Sequence, residues 1–263
     1  MKNIKLTVPE SWNDITVRQY QKFMQILKLK QKEHERTLDI VSVFCNVDKK
    51  LLNKFKIKDL DKISNIIISM TKEDPSKIKM EKNIEFNNDK YGVIPNMSEM
   101  TTGEFVDLES YCEESTENLH KILSVLYRKQ KDSVDYWGRY QVEEYDPSPE
   151  KHKLMLDLPM NYALGVLNFF FSFRRQTFRR FGQLFDEVEI TQNKGTSHER
   201  RITTEKRYKS KWGWYAVLYN LSGGDILKIE PITKTKIYEA LTFLSYQQDL
   251  FILEKERNGT KLK

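Results

Sequence analysis

The stretch "FFFSFRRQTFRRF", residues 169–181, places strong limits on the fold because it puts six phenylalanines and four arginines into thirteen positions. The helical pattern around it runs from about Asp157 to Phe185. At about 100° per residue, the apolar side chains of residues 163–185 cover an arc of roughly 200°. An ordinary surface helix has an apolar stripe of about 100°. The wide arc therefore predicts a helix that is covered on two sides.

The arginines of this helix leave three interpretations: a buried helix, a membrane-surface helix or a nucleic-acid contact. Arg175 and Arg179 lie opposite the apolar arc, whereas Arg174 falls in its middle. A membrane-surface helix keeps its cations on the polar face, so Arg174 argues against that interpretation. Stacking on single-stranded nucleic acid needs exposed aromatics beside cations, and these phenylalanines are spaced to pack. We expect a buried helix in which a carboxylate from this chain or a neighbouring copy pairs with Arg174.

Two segments upstream share one pattern, in which a short apolar strand and a proline precede a helix start. In the first, Thr16 is a candidate N-cap and Gln19 completes a capping box; Thr101 and Glu104 repeat this pairing 85 residues later. Capping boxes look alike wherever helices begin, which is one explanation. The other is a pair of pseudo-repeated strand-to-helix units, with "IKLTV" and "YGVI" paired in one small sheet.

The remaining periodicity is also helical, including one continuous pattern from Thr101 to about Lys131. The sequence therefore predicts a mainly α fold, with a minor short-stranded β element near the N-terminus. The turn-rich segment "DYWGRYQVEEYDPSPEKHK" is the best candidate boundary. We predict an N-terminal helical domain with short strands over residues 1–150. A basic helical domain over 151–263 follows, with a mobile loop near 191–211.

Charge is distributed unevenly between these two predicted domains. Residues 1–150 hold 24 Lys and Arg against 26 Asp and Glu, whereas residues 151–263 hold 20 against 12. A basic half can contact nucleic acid or an acidic partner surface. The candidate contact residues are Arg175, Arg179, Arg200, Arg201, Lys206, Arg207, Lys209 and Lys211.

No segment carries a recognisable catalytic, cofactor or metal motif. The four histidines lie in no zinc-ligand spacing, and the two cysteines form no CxxC pair. The acidic run from Glu104 to Glu117 is typical of a solvated helix face, on which Glu109, Glu113 and Glu117 would line up. We expect a non-enzymatic protein without cofactor or metal. Because no apolar run spans a bilayer and no signal peptide begins the chain, we also expect no membrane partner.

The last predicted helix, from Lys236 to Glu256, carries two apolar stripes on roughly opposite sides. The first comprises Ile237, Ala240, Leu241, Leu244, Phe251 and Ile252. The second comprises Phe243, Tyr246, Leu250 and Leu253. Such a helix is either sandwiched in the chain's own core, with the Phe-rich helix as cover, or shared with a partner. We predict that the second stripe is an assembly interface, to which Arg174 also contributes.

Several segments, in this order, carry a family resemblance. They are "LTVPESWNDITVRQYQKF", "MTTGEFVDLESY", "NLHKILSVLYRK", "LPMNYALGVLNFFFSF" and "WGWYAVLYNLSGGDILKIEPITKTKIYEALTFLSYQQDL". The chain resembles structural and tail-assembly proteins of tailed bacteriophages of Bacteroidetes-type hosts, including crAss-like phages.

The resemblance implies a multi-copy virion protein of the neck or tail, such as a ring, or an internal cargo protein. Its partners would be copies of itself and other phage structural proteins, and it would be made in the host cytoplasm. Two alternatives are a tail-assembly chaperone absent from the mature particle and a nucleic-acid-binding protein that uses residues 174–211.

Overall fold

The computed structural model describes residues 6–72, 74–185 and 212–260, and its fold is mainly α, as the sequence predicts. The chain forms two compact units, neither of which is contiguous. Unit 1 comprises Met1–Pro95 and Tyr111–Phe171, and unit 2 comprises Asn96–Ser110 and Ser172–Lys263. This division differs from the predicted one at residue 150, because the chain leaves unit 1, contributes a short segment to unit 2 and returns.

The helices follow the predicted pattern along most of the chain. In chain order they are α1 (Val17–Lys28), α2 (Glu33–Cys45), α3 (Lys49–Leu52), α4 (Ile57–Thr71), α5 (Thr102–Cys112), α6 (Leu119–Leu126), α7 (Pro149–Leu154), α8 (Met160–Arg180), α9 (Gly182–Phe185), α10 (212–221), α11 (Ile229–Thr233) and α12 (Ile237–Thr260). Gly223 and Gly224 follow α10 with positive φ angles, as expected of glycines that end a helix.

The sheet of unit 1 is antiparallel, with strand order β1 (Asn83–Phe86), β2 (Asp89–Val93), β3 (Tyr127–Val134) and β4 (Tyr140–Val142). It lies in the middle of the sequence rather than near the N-terminus. The predicted strand "YGVI" falls on β2, but β2 pairs with β1 and β3. Residues 6–8 of the other predicted strand lie outside the sheet. The prediction of one continuous helix from Thr101 to Lys131 is wrong. The helical segment is interrupted after Cys112, and α6 ends where β3 begins.

The helical core of unit 1 forms around α2, which contacts both α1 and α4. Leu38, Val41, Leu52 and Leu60 are its buried centre, and Phe23 meets Phe44 edge to face at 5.3 Å between ring centroids. The first half of α8 belongs to the same unit and buries Val166 and Phe170 completely. Residues of the Phe-rich helix are therefore core residues, which agrees with the buried-helix interpretation.

A turn-and-helix motif occurs once in each unit. In unit 1, Val17 N–H donates to Leu158 O (3.0 Å) and Met160 N–H donates to Ile15 O (2.9 Å). These bonds form an isolated bridge between Thr16 and Pro159. The bridge joins the start of α1 to the start of the long helix α8.

Unit 2 repeats this bridge at equivalent positions. Thr102 N–H donates to Thr235 O (2.7 Å) and Ile237 N–H donates to Met100 O (3.0 Å), around a bridge between Thr101 and Lys236. A 3₁₀ turn precedes each short helix, at Trp12–Asp14 and Met97–Glu99. Of the two explanations that the sequence leaves open, a repeat is therefore present in the turn and the helices, whereas the expected pairing of the two preceding strands is absent from the described residues. The repeat consists of a 3₁₀ turn, a capped helix and a long helix.

Candidate assembly surface on the last helix

Helix α12 is fixed at its beginning by the repeated bridge of unit 2. Ile237, Ala240 and Leu241 are buried there, and the Lys236 ammonium lies 2.7 Å from Glu99 Oε2. The hydrogen bond to Glu99 raises the pKa of Lys236 above its ordinary value. The start of the helix therefore has a defined position within unit 2.

An aromatic cluster packs beneath this anchored end. Phe105 of α5 is completely buried, and its ring centroid lies 6.5 Å from Phe173, 6.4 Å from Phe178 and 5.3 Å from Trp214. All three contacts are edge to face, a favoured geometry for aromatic pairs. The second half of α8 thus uses its phenylalanines to build the core of unit 2.

Tyr238, in the first turn of α12, extends the cluster. Its ring centroid lies 6.0 Å from that of Phe173 and 6.0 Å from that of Phe181. The Arg180 guanidinium lies over the same ring, 5.2 Å from its centroid. Aromatic and cation–π contacts therefore hold the first turn of α12 against the end of α8.

Arg174 also belongs to this core, and its carboxylate partner comes from the same chain. Its Nε and Nη2 donate to the two carboxylate oxygens of Glu109 over 2.5 and 2.7 Å. The guanidinium lies 4.3 Å from the centroid of the Phe178 ring. The carboxylate that Arg174 needs therefore comes from this chain and not from a neighbouring copy, whereas a contribution of Arg174 to an interface stays a prediction.

Glu109 shows that the first part of the acidic run is not a solvated helix face. Its carboxylate is buried, and Glu104 is buried as well, accepting from Thr101 N–H in the predicted capping box. Helix α5 ends at Cys112, so Glu117 does not continue its face and instead pairs with Lys28 at 2.9 Å. The solvated-face interpretation is wrong for Glu104 and Glu109, which are buried with specific polar partners, whereas Glu113, Glu114 and Glu117 are exposed.

The second apolar stripe of α12 is exposed. The exposed fractions are 49% for Phe243, 63% for Tyr246, 38% for Leu250 and 42% for Leu253. The Phe-rich helix does not cover these side chains. The sequence therefore placed this stripe correctly on an outer face of the helix.

The first stripe is covered only at its start. Ile237, Ala240 and Leu241 are buried, whereas Phe251 and Ile252 are exposed. The last part of α12 consequently shows large apolar side chains on both sides. Exposed apolar surface of this extent on one element is typical of an interaction site.

The predicted basic contact residues fall into two groups. Arg175 and Arg179 are exposed on α8, on the side away from the aromatic cluster. Arg200, Arg201, Lys206, Arg207, Lys209 and Lys211 lie outside the described residues, as does the loop predicted near 191–211. The structure therefore places the four candidate α12 residues on one face, and of the basic set it describes only Arg175 and Arg179.

Neither a metal-ligand cluster nor a membrane-spanning helix occurs in the described part of the chain. Within residues 6–72, 74–185 and 212–260, no group of three or more His, Cys, Asp or Glu side chains is arranged to hold a metal ion. No described helix is both long and apolar enough to cross a membrane. Comparison of the chain with protein-family models, curated proteins and solved structures finds no match.

Proposed function

We propose that this protein is a multi-copy structural protein or assembly factor of a tailed-phage particle, and that its copies associate through the exposed face of α12. The observation that carries the proposal is the row of Phe243, Tyr246, Leu250 and Leu253, all exposed on a helix that is anchored at its start. The sequence resemblance to phage structural and tail-assembly proteins supplies the biological setting.

Exposure of these four side chains to water costs free energy, which association of two copies would recover. Each large apolar side chain gains about 1.5–3 kcal/mol on full burial. Because the side chains recur at helical spacing, a second helix can cover several of them at once. Aromatic side chains such as Phe243 and Tyr246 are also enriched at the core of interfaces.

The geometry of association separates the structural roles. A two-fold contact of α12 against α12 would close a dimer, whereas a head-to-tail contact would build a ring or a filament. A ring of the neck or tail needs the second kind, and a cargo protein or a tail-assembly chaperone can function with the first. We propose the structural role first and the chaperone role as its alternative.

The test measures the mass of the purified protein by light scattering over a wide concentration range. The wild-type protein should self-associate, and Phe243→Glu/Leu250→Glu should be monomeric with an unchanged circular dichroism spectrum and urea midpoint. Ile57→Glu/Ile66→Glu is the matched control, because it places two glutamates at exposed apolar positions of unit 1. A wild-type monomer at high concentration, or loss of folding in the α12 variant, would contradict the proposed interface.

Nucleic-acid binding is the second candidate because α8 exposes Arg175 and Arg179 one turn apart. Arginines at this spacing can neutralise neighbouring phosphates, which makes affinity fall steeply with salt. Fluorescence anisotropy with a labelled single strand should then show a salt-dependent affinity that Arg175→Gln/Arg179→Gln weakens. The α12 variant above should bind as the wild type does, so the two candidate functions separate in one set of proteins.

A further inference from the structure

The exposed apolar row of α12 belongs to a longer pattern that ends in two opposite charges. Its four side chains follow one another at intervals of three, four and three residues; they are Phe243, Tyr246, Leu250 and Leu253. One further step of four residues in each direction reaches Glu239 before the row and Arg257 after it. Alternating steps of three and four residues are typical of a helix that packs lengthwise against another helix. We call these six residues the seam.

Both charged ends of the seam are open to a partner. Glu239 and Arg257 are exposed, and neither occurs in the ion pairs found among the described residues. Lys236, one turn before Glu239, pairs with Glu99 instead. At about 100° per residue, the other charged side chains of this stretch lie about 60° or more away from the seam. They are Asp249, Glu254, Lys255 and Glu256.

The side of α12 opposite the seam attaches the helix to unit 2 only as far as Gln248. Ile237 and Leu241 are buried on that side, and Gln248 Nε2 donates to Gln183 O of α9 over 3.1 Å. Every residue from 249 to 258 is exposed. Helix α12 therefore has an anchored half, residues 237–248, and a projecting half, residues 249–258.

The seam is symmetric about Gln248 in both spacing and chemistry. Its six positions form three pairs, which lie two, five and nine residues on either side of this midpoint. The pairs are Tyr246 with Leu250, Phe243 with Leu253, and Glu239 with Arg257. When two such helices pack antiparallel about a two-fold axis, each position meets the other member of its pair in the second helix. Apolar side chains then meet in two of the pairs, and a carboxylate meets a guanidinium in the third.

We propose that α12 of one copy packs antiparallel against α12 of a second copy, and that ion pairs between Glu239 and Arg257 form at both ends of the seam. The inference rests on the proposed function, because it names the surface that the α12 interface contacts. The contact is the same surface on both copies and therefore closes a dimer. A ring of the neck or tail would then be built from dimers that meet through a second surface.

Charge favours the antiparallel orientation over the parallel one. In a parallel pair, Glu239 would face its own counterpart at one end of the seam, and Arg257 would face its own counterpart at the other. Like charges placed together across an interface oppose association, whereas opposite charges fix the register. The single carboxylate and the single guanidinium of the seam are thus arranged for an antiparallel partner.

The division of α12 into two halves favours the same orientation. In the antiparallel pair, the projecting half of each helix lies along the anchored half of the other helix. In a parallel pair, the two projecting halves would contact only each other, without support from unit 2. An anionic lipid surface is not favoured as cover, because residues 249–258 hold three carboxylates against two basic side chains.

The first experiment reverses the end charges and measures the dimer dissociation constant by sedimentation equilibrium at low salt, where exposed ion pairs are least screened. Glu239→Arg places two arginines at each end of the antiparallel pair, and Arg257→Glu places two glutamates there. Each variant should dimerise about tenfold more weakly than the wild type, because two attractive contacts become repulsive. Glu239→Arg/Arg257→Glu restores opposite charges at both ends and should dimerise as the wild type does.

Lys255→Glu is the matched control for Arg257→Glu. It makes the same change of charge two residues earlier, but Lys255 is exposed on the side of α12 away from the seam. We expect the dissociation constant of this variant to equal that of the wild type. Circular dichroism and urea unfolding verify that each variant folds.

The second experiment reports the orientation by disulfide cross-linking. Glu239→Cys/Arg257→Cys should give a covalent dimer on oxidation, since each new cysteine faces the other position in the second copy. Either substitution alone should not cross-link, because its counterpart lies about 27 Å away, the length of 18 helical residues. The native Cys45 and Cys112 remain in every variant, so the wild-type protein is the control.

Three outcomes would overturn the antiparallel pair. They are cross-linking of each single-cysteine variant, dissociation constants that do not change on single charge reversal, and a double reversal that does not restore dimerisation. If Phe243→Glu/Leu250→Glu still self-associates, the α12 interface of the proposed function fails as well. A monomeric Phe243→Glu/Leu250→Glu together with any of the three outcomes would overturn the orientation alone.

Discussion

Arg174 and Glu109 form a two-pronged ion pair within unit 2, although 65 positions separate them in the sequence. The Glu109 side chain is only 7% exposed, whereas the Arg174 side chain is 35% exposed and keeps some contact with solvent. Such a pair fixes how α5 and the second half of α8 meet, because planar donors must face planar acceptors.

We expect Arg174→Met to destabilise the protein by about 3–5 kcal/mol, because it leaves the Glu109 charge buried without a partner. The free energy of unfolding in urea measures this change. Arg175→Met is the matched control, since Arg175 is exposed on the same helix, and it should change stability by less than about 0.5 kcal/mol. Arg174→Met/Glu109→Met should recover much of the loss, and a single variant as stable as the wild type would contradict the expectation.

The two repeated motifs should depend on their caps to a similar degree. Thr16 Oγ1 accepts from Gln19 N–H at 3.3 Å, and Thr101 Oγ1 accepts from Glu104 N–H at 3.2 Å. Thr16→Ala and Thr101→Ala should each cost about 1 kcal/mol in urea unfolding. Ser148 begins α7 without a side-chain cap hydrogen bond, so Ser148→Ala should cost distinctly less. An equal loss of unfolding free energy in all three variants would contradict a contribution from the cap hydrogen bonds of Thr16 and Thr101.

Gly165→Ala should destabilise unit 1 although alanine is the better helix former. A methyl group at Gly165 would lie 2.6 Å from Lys79 O and 3.0 Å from Met80 Cα. Both atoms belong to the backbone, so relief requires a chain shift, and overpacking of this kind costs about 1–3 kcal/mol. The thermal midpoint measures the change. An increased midpoint, as helix propensity alone would give, would contradict the packing argument.

Stability should fall as the pH drops below about 6.5 because of His120. Burial, followed by the positive charges of Lys121, His152 and Arg18, lowers the pKa of its ring. The unfolded chain therefore binds a proton at higher pH than the folded chain does. Stability is full above the unfolded pKa and is lost towards the folded pKa.

Urea unfolding at several pH values tests the histidine argument. His120→Gln should flatten the dependence between about pH 5 and 7, whereas His34→Gln should not, because His34 is exposed. Gln21 Nε2 lies 3.2 Å from His120 Nδ1, which can accept only while it carries no proton. An identical pH profile in all three proteins would exclude His120 as the titrating group.

Local signals were predictable from the sequence. The capping boxes at Thr16 and Thr101 and the grouping of the second apolar stripe on one face of α12 follow from spacing alone. Strand β3 was not predictable in this way, because its first residues continue a helical pattern and form a strand only through pairing with β2. That pairing joins segments far apart in sequence, which local propensity does not report.

The candidate sites show the same division between local and distant information. The sequence indicates that Arg174 needs a carboxylate partner, but it predicts a solvent-exposed Glu109. Helical spacing shows which residues share a face, and it does not show what covers that face. Tyr136 and Trp137, which are both exposed, lie in the turn-rich segment from which the sequence predicts a domain boundary. Turn residues identify a turn, but they do not indicate whether its aromatic side chains will be covered.

Unit 2 consists of two segments that are separated in the chain by part of unit 1, and this order affects how unit 2 folds during synthesis. Its first segment, which ends at Ser110, leaves the ribosome long before Ile237 does. At ~5–20 residues per second the intervening chain takes roughly ten seconds to make. For roughly the first half of that interval Phe105 lacks Phe173 and Phe178 of α8, and α12 is made only after it. Unit 2 therefore folds last and depends on its C-terminal helix. Interrupted translation would yield a chain whose unit 1 sequence is complete but whose α5 remains an exposed apolar segment.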